Sequence, residues 1–385
     1  MKVGLAALAC ALAILTSLSL VVPRNRGIAA PLAKLRNVAE AGGASGGFEN
    51  ANRAYAFSFP RDHAAHFGYR SEWWYYTGHV TAADGRRFGY ELTFFRIGLR
   101  PGDPRPAPGQ SAWRGNQIYA AHFALTDESG QQFVHVERLA REALGAGSSS
   151  DRVLDVHVDD WTLSGTNPFR LHARAAGAAI TFEQFADKVP AIHGRDGISL
   201  KGSCATCASH YYSMTRLRTA GTLVYRGRRL AVTGLSWMDH EFGSDELQAN
   251  QIGWDWFSLQ LADRREVMLY RLRQTGGLVT PQSSGSLIDP RGRVTHLGLS
   301  DFSIDATGSW KSPHTGATYP SGWRVRVPQA AVDVLLAPTV SDQELVNGGG
   351  VSYWEGSVDI LDPTTRRPLG VGYAELTGYA GSVAL

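Results

Sequence analysis

Gly253-Trp254-Asp255-Trp256-Phe257-Ser258-Leu259-Gln260-Leu261 is followed by Ala262-Asp263-Arg264-Arg265 and then by Glu266-Val267-Met268-Leu269-Tyr270-Arg271-Leu272-Arg273. Two runs rich in aromatic and aliphatic residues flank a polar quartet, which is the pattern of an antiparallel hairpin. It recurs toward both ends of the chain. Thr222 to Tyr225 and Leu230 to Thr233 flank Arg226-Gly227-Arg228-Arg229, and Asp289-Pro290-Arg291-Gly292 turns another pair. Phe88 to Ile97 reads as a strand, as does Ile118 to Thr126 before Asp127-Glu128-Ser129-Gly130. From about Tyr55 onward almost no stretch keeps a helical period. Sequential hairpins with little helix predict an all-β protein of meandering antiparallel sheets, as sandwiches or up-and-down barrels.

A chain of 385 residues suggests two domains plus appendages. The boundary is expected near residue 245, after Asp239-His240-Glu241-Phe242-Gly243-Ser244, giving an N-terminal domain at 53–245 and a C-terminal domain at 246–385. The 43 glycines and 10 tryptophans suit a turn-rich β protein. Lys and Arg number 38 against 35 Asp and Glu, a net charge of +3. That is too small an excess for nucleic acid to be the main partner.

Leu5 to Val22 is an apolar run with Lys2 before it and Arg24 and Arg26 after it. Together with the small residues near Ala29-Ala30, this predicts a signal peptide over 1–30 or, if uncleaved, a membrane anchor. The protein is therefore expected to be secreted or periplasmic, or tethered to the inner membrane. Residues 31–52 have the composition of a flexible linker. Within them Gly43-Ala44-Ser45-Gly46-Gly47 fits a hydrolase serine pattern, but the strand and helix which that motif needs are missing. Cys204 and Cys207 form a lone C-x-x-C, for which a loop disulfide or two free thiols is the expectation in an exported chain.

Four clusters could carry chemistry. In Ser71-Glu72-Trp73-Trp74-Tyr75-Tyr76-Thr77, alternation puts Glu72, Trp74 and Tyr76 on one face and Trp73, Tyr75 and Thr77 on the other. The first face either packs a core or lines a cavity. In Trp237-Met238-Asp239-His240-Glu241-Phe242, the adjacent Asp239 and His240 could supply a proton donor and its neighbour. The block is weak as a metal site, because consecutive strand residues point to opposite faces and no second ligand cluster is apparent. Asp255 shares its face with Phe257, Leu259 and Leu261, where a carboxyl is expected to hold a proton; backbone donors would instead make it structural. Glu375 shares a face with Tyr373 near the C-terminus, and His122 lies among aromatics where it could face a cavity.

These blocks resemble a known family when taken in order. They include Glu72-Trp73-Trp74-Tyr75, Tyr119-Ala120-Ala121-His122-Phe123, Ser209-His210-Tyr211-Tyr212-Ser213 and Trp237-Met238-Asp239-His240-Glu241-Phe242-Gly243. Tyr319-Pro320-Ser321-Gly322-Trp323, Tyr353-Trp354-Glu355-Gly356 and Gly372-Tyr373-Ala374-Glu375-Leu376 follow. The set is similar to AttH-type secreted proteins and carotenoid 1,2-hydratases (hydroxyneurosporene synthases). The resemblance implies two lipocalin-like β-barrels packed together, with a cavity for a terpenoid or other lipid-like ligand. It also implies water addition to a carbon–carbon double bond with no metal or organic cofactor. In the hydratase branch the histidine of the Asp-His block matters, which maps to His240. A proton-donating Asp is expected on a later strand, but the matching stretch Val267 to Leu272 has Tyr270 and no carboxylate.

The reading is a cofactor-free hydratase or isomerase that protonates an alkene. Asp255 or Asp239 is the acid and His240 handles water. Glu72, Trp74, Tyr76, His122, Tyr212, Trp254, Trp256, Tyr270 and Glu375 line the ligand site, the tryptophans and Tyr76 stabilising a cation by its attraction to aromatic faces. The alternatives are a periplasmic lipid carrier, a filled structural barrel pair, and a secreted hydrolase, for which no nucleophile–base pair is evident. An apolar pocket with a carboxyl at its wall would favour catalysis over carriage.

Overall fold

The computed structural model describes residues 46–102, 111, 115–175, 177–244, 247–346 and 352–381. The leader and most of the linker lie outside the described residues, as does residue 245. The hairpin quoted above is Gln251–Leu261 paired antiparallel with Glu266–Gln274. The Leu261 N–H donates to the Arg265 carbonyl at 2.9 Å, and the Asp263 carboxylate caps the Arg265 N–H at 3.0 Å. At Arg226-Gly227 both residues take positive φ, 49° and 75°. This is the backbone of a two-residue turn whose twist matches its strands. The strands it joins, Ala208–Tyr225 and Arg228–Gly243, run for 18 and 16 residues. The hairpin signal marks only their distal ends, because buried polar residues interrupt the apolar alternation nearer the site.

The described residues form two main antiparallel sheets. The first runs from Gln132–Arg141 through Gln117–Asp127, Arg87–Gly98, Ser71–Ala82, Arg228–Gly243 and Ala208–Tyr225 to Ala178–Ala186, then through shorter strands to Gly147–Ser149. The sheet curls back on itself: Tyr119 Oη, on the strand next to the Gln132–Arg141 edge, lies 3.0 Å from Ser149 Oγ on the opposite edge strand, so the barrel is nearly closed. The second runs from Val294–Gly298 through Ser284–Ile288, Glu266–Gln274, Gln251–Leu261, Pro368–Leu376, Tyr353–Leu361, Val332–Pro338 and Trp323–Val327 to Ser303–Ala306. It stays open as a half-barrel, its edge strands bridged by the short turn at Leu299–Asp301. The fold is thus all-β and lipocalin-like, with one barrel more closed than the other.

The first barrel is filled. Trp74, Tyr76, Phe88, Tyr90, Leu92 and Phe94 are all fully buried in one cluster. The half-barrel has its own core around Phe257, Leu259, Trp323 and Val325. A third cluster, with Tyr75, Tyr211 and Trp237 from the first sheet and Trp256, Met268 and Tyr270 from the second, joins the two units. Gly89 permits this approach, since a Cβ there would fall 2.7 Å from Ser357 Cβ. Buried ions pin the seam: Glu266 takes Lys188 at 2.5 Å and Arg216 at 2.5 Å. Cys204 and Cys207 are joined as a disulfide.

Candidate functional site

Between the two units lies a cavity of about 100 Å³. Trp73, Tyr75, Phe95, Tyr211, Asp239 and Glu241 line it from the first unit; Trp254, Trp256, Tyr270, Leu272, Tyr353 and Glu375 line it from the second. Strand alternation places them. Ser71–Ala82 turns Trp74 and Tyr76 into the filled barrel, so it must turn Trp73 and Tyr75 outward to the seam. Arg228–Gly243 likewise turns Asp239 and Glu241 to the cavity and His240 into the barrel.

Asp239 is buried and accepts three neutral donors. Tyr211 Oη donates to Oδ2 at 2.7 Å, Trp237 Nε1 to Oδ1 at 2.5 Å, and Ser213 Oγ also to Oδ1. Burial drives its pKa up; those hydrogen bonds restrain the rise and Glu241 adds to it, leaving it at about 7. Ser213 in turn meets His193 Nε2 at 2.6 Å, and His193 Nδ1 meets Ser286 Oγ at 2.8 Å. Burial holds the His193 pKa down at about 3, so this imidazole is neutral and orients Ser213 and, through it, Asp239. The Ser213–His193 contact is the nucleophile–base pairing that a hydrolase would need. Ser213 is fully buried behind Asp239, however, and already gives its proton to that carboxylate.

Glu375 is the second acid of the cavity. Its Oε2 accepts Trp254 Nε1 at 3.0 Å, and burial lifts its pKa to about 7. Glu355, bound by Tyr75 Oη at 2.7 Å, is pushed well above the carboxylate range by burial and by Glu375 and Glu91 nearby. At another part of the wall Lys201 pairs with Glu241 at 2.6 Å and faces the Tyr270 ring at 4.4 Å.

His240 belongs to a different cluster. Inside the barrel its Nε2 meets Glu72 Oε1 at 2.8 Å and its Nδ1 meets Tyr212 Oη at 3.0 Å. Tyr212 also meets His63 at 2.7 Å, and Glu72 takes Arg96 Nε at 2.8 Å and His66 Nδ1 at 2.8 Å. His66, Glu72 and His240 present ligand atoms within 4.8 Å of one another, the cluster that the sequence did not reveal. Each of these imidazole nitrogens already has a hydrogen-bond partner, and a guanidinium occupies the same carboxylate. That donor set suits a charge-balanced knot better than a cation. Adjacent Asp239 and His240 therefore cannot serve one reaction centre, since they point to opposite faces.

Asp255 also departs from expectation. Its alternation toward Phe257 and Leu259 holds, but the next strand sets Arg271 directly opposite. Arg271 Nη2 and Arg273 Nε each reach its carboxylate at 3.0 Å, and Tyr379 Oη donates at 2.9 Å. Asp255 is thus ion-paired on its own side of the strand, away from the seam cavity. Of the residues singled out from sequence, Asp239, Trp254, Trp256, Tyr270 and Glu375 come together at the cavity. Glu72, Trp74, Tyr76, Tyr212 and His240 sit in the barrel, and His122 stands behind the wall, bonded to Tyr353 at 2.7 Å. Trp73, Tyr75, Tyr211 and Glu241 were missed, although each alternates with a residue that was named. His193, a lone histidine, carried no signal.

A family model described as AttH-like matches residues 50–379. Among solved structures, an AttH protein of Nitrosomonas europaea superposes with a TM-score of 0.76 at 30% identity, over 86% of this chain and 100% of that one. The kievitone hydratase of Nectria haematococca superposes with a TM-score of 0.64 at 16% identity, over 88% of this chain and 97% of that one, and so shares the fold. None of the curated proteins matches the chain.

Proposed function

Since the chain belongs to the AttH-like family, we propose that its seam cavity is the site of a cofactor-free hydratase acting on an apolar, terpenoid- or lipid-like alkene. One observation carries this reading: an aromatic cavity walled by two buried carboxyls, Asp239 and Glu375, whose hydrogen-bond donors are all neutral. With its pKa lifted to about 7, one such acid can hold a proton near neutral pH while the other has given its own up, which is what protonation of a carbon and deprotonation of water require.

The Asp239 carboxyl gives its proton to one alkene carbon, and the π pair becomes the new C–H bond. The neighbouring carbon is left as a cation, stabilised by the faces of Trp73, Trp254 and Trp256. Water attacks it through oxygen and releases a proton to the Glu375 carboxylate. One π bond and one water have become a C–H and a C–O bond, and solvent returns the proton from Glu375 to Asp239. The reverse sequence is a dehydration. A cavity of about 100 Å³ accommodates the reacting end of an extended ligand rather than its full length.

The test is to identify any co-purified apolar molecule by native mass spectrometry and to incubate it with the protein in D₂O. A product with one carbon-bound deuterium and one added oxygen supports hydration. A molecule bound and released unchanged would make the protein a carrier. Export, as the Leu5–Val22 run suggests, belongs to the same proposal and is tested by N-terminal sequencing of the protein from periplasmic and membrane fractions.

A further inference from the structure

Asp255 takes no part in that chemistry, yet it is 1% exposed and holds two guanidinium groups. Both groups line a second cavity, of about 320 Å³, in the half-barrel. That volume is at the lower end of the range of small-molecule sites. Ile252, Val279, Ile304 and Pro320 supply an apolar wall; Arg271, Arg273 and Tyr379 supply a polar one.

The polar wall has donors to spare. Arg271 gives Nη1 to the Ile304 carbonyl at 2.8 Å and Nη2 to Asp255, while its buried Nε finds no partner among the described residues. Arg273 gives Nε to Asp255 and Nη2 to the Thr377 carbonyl. Each guanidinium has five N–H donors, so several remain. Tyr379 lies under the Arg273 guanidinium at 3.8 Å and spends its proton on Asp255. Two positive charges therefore meet one negative charge and a neutral phenol. One positive charge is left over, on side chains only 23% and 17% exposed.

We propose that this cavity binds the carboxylate of an apolar monoacid, with Arg271 and Arg273 holding the head and Ile252, Val279 and Ile304 the tail. A monoanion balances the site, whereas a dianionic phosphate monoester would leave it negative. The planar fork of a guanidinium fits a carboxylate. Asp255 is the positioning residue that holds the two arginines side by side. This site is independent of the hydratase reading.

Calorimetric titration of the full-length protein with octanoate and with octanol tests the proposal. Octanoate is expected to bind at least roughly tenfold more tightly than octanol, the worth of a charge-assisted pair. Arg271→Gln should remove that preference. Val279→Trp, which fills the cavity without touching a charge, should abolish octanoate binding. Equal affinity for octanol and octanoate would overturn the proposal. So would octanoate binding that survives Val279→Trp and is lost in Trp256→Ala, since the acid would then occupy the seam cavity.

Discussion

The seam cavity and the barrel knot both bury carboxyl groups on the same two strands, Ser71–Ala82 and Arg228–Gly243, or against them, yet their chemistry diverges. Burial alone would raise Glu72; the Arg96 guanidinium, with His240 and His66, outweighs it and holds the carboxyl well below its usual range. Burial equally raises Asp239, whose donors are a phenol, an indole and a hydroxyl; its pKa stays at about 7. The difference lies in the counter-charge. A buried carboxyl with a cation beside it is a structural anion, and one with only neutral donors is a reservoir for a proton.

The sharpest test of that contrast is Asp239→Asn. Asn keeps the shape and cannot give up a proton, so the proposed hydration should fall by about 10²- to 10⁴-fold with folding retained. Full turnover in a folded variant would remove Asp239 as the acid and leave Glu375. On the other side of the strand, Arg96→Met should act on stability. Arg96 is fully buried and donates to Glu72, Gln117 and the His66 and Tyr69 carbonyls. Leaving Glu72 without its cation should cost about 3–5 kcal/mol in urea unfolding. A cost below about 1 kcal/mol would mean that the knot does not depend on charge balance.

The turns made the fold legible, because Arg226-Gly227 and Ala262-Asp263-Arg264-Arg265 announce hairpins without knowledge of the rest. The site was legible only where one face of a strand was unambiguous. Trp254 and Trp256 could be read because Phe257, Leu259 and Leu261 claim the opposite face for the core. Trp73 and Tyr75 could not be told from Trp74 and Tyr76, since both faces are aromatic and only the packed barrel decides which turns outward. Asp255 was legible only in part, for another reason. Its own strand is apolar, and its partners Arg271 and Arg273 come from the neighbouring strand, so the cross-strand register had to be known. That register follows from the hairpin turn, and it was available in the sequence.

Glu91 offers a pH test of the same contrast. It is fully buried, one oxygen takes Thr93, and the other has no partner among the described residues. Burial lifts its pKa from 4.5 to about 7. Below pH 4.5 both folded and unfolded chains hold this proton, and its stabilising effect is fully present. As pH rises through 7 the unfolded chain has already lost the proton, so the folded state loses ground, by up to about 3 kcal/mol. Glu91→Gln removes this dependence. The stability of the variant relative to the parent should therefore climb between pH 4 and pH 8 in unfolding measured at a series of pH values. A gap that stays constant across that range would show that Glu91 is compensated as Glu72 is.

The smallest effect is the most specific to role. Tyr211 Oη donates to Asp239 Oδ2 at 2.7 Å and accepts from Trp256 Nε1 at 3.1 Å. The bond to Asp239 favours the ionised carboxylate and lowers its pKa. Tyr211→Phe deletes it, so the Asp239 pKa should rise. A hydrogen bond to a charged acceptor exceeds one to a neutral acceptor by about 1 kcal/mol, which corresponds to roughly half to one pH unit. If Asp239 is the proton donor, activity falls at alkaline pH as it ionises, and the variant should move that limb upward by this amount. The acid limb, set by protonation of Glu375, should stay in place. If Asp239 instead took the proton from water, it would need to be ionised, and the acid limb would move upward while the alkaline limb stayed. A variant that lowers activity equally at every pH would mean that Tyr211 only packs the wall. The direction of one limb thus separates donor from acceptor at Asp239, using a side chain that does not exchange a proton with the substrate.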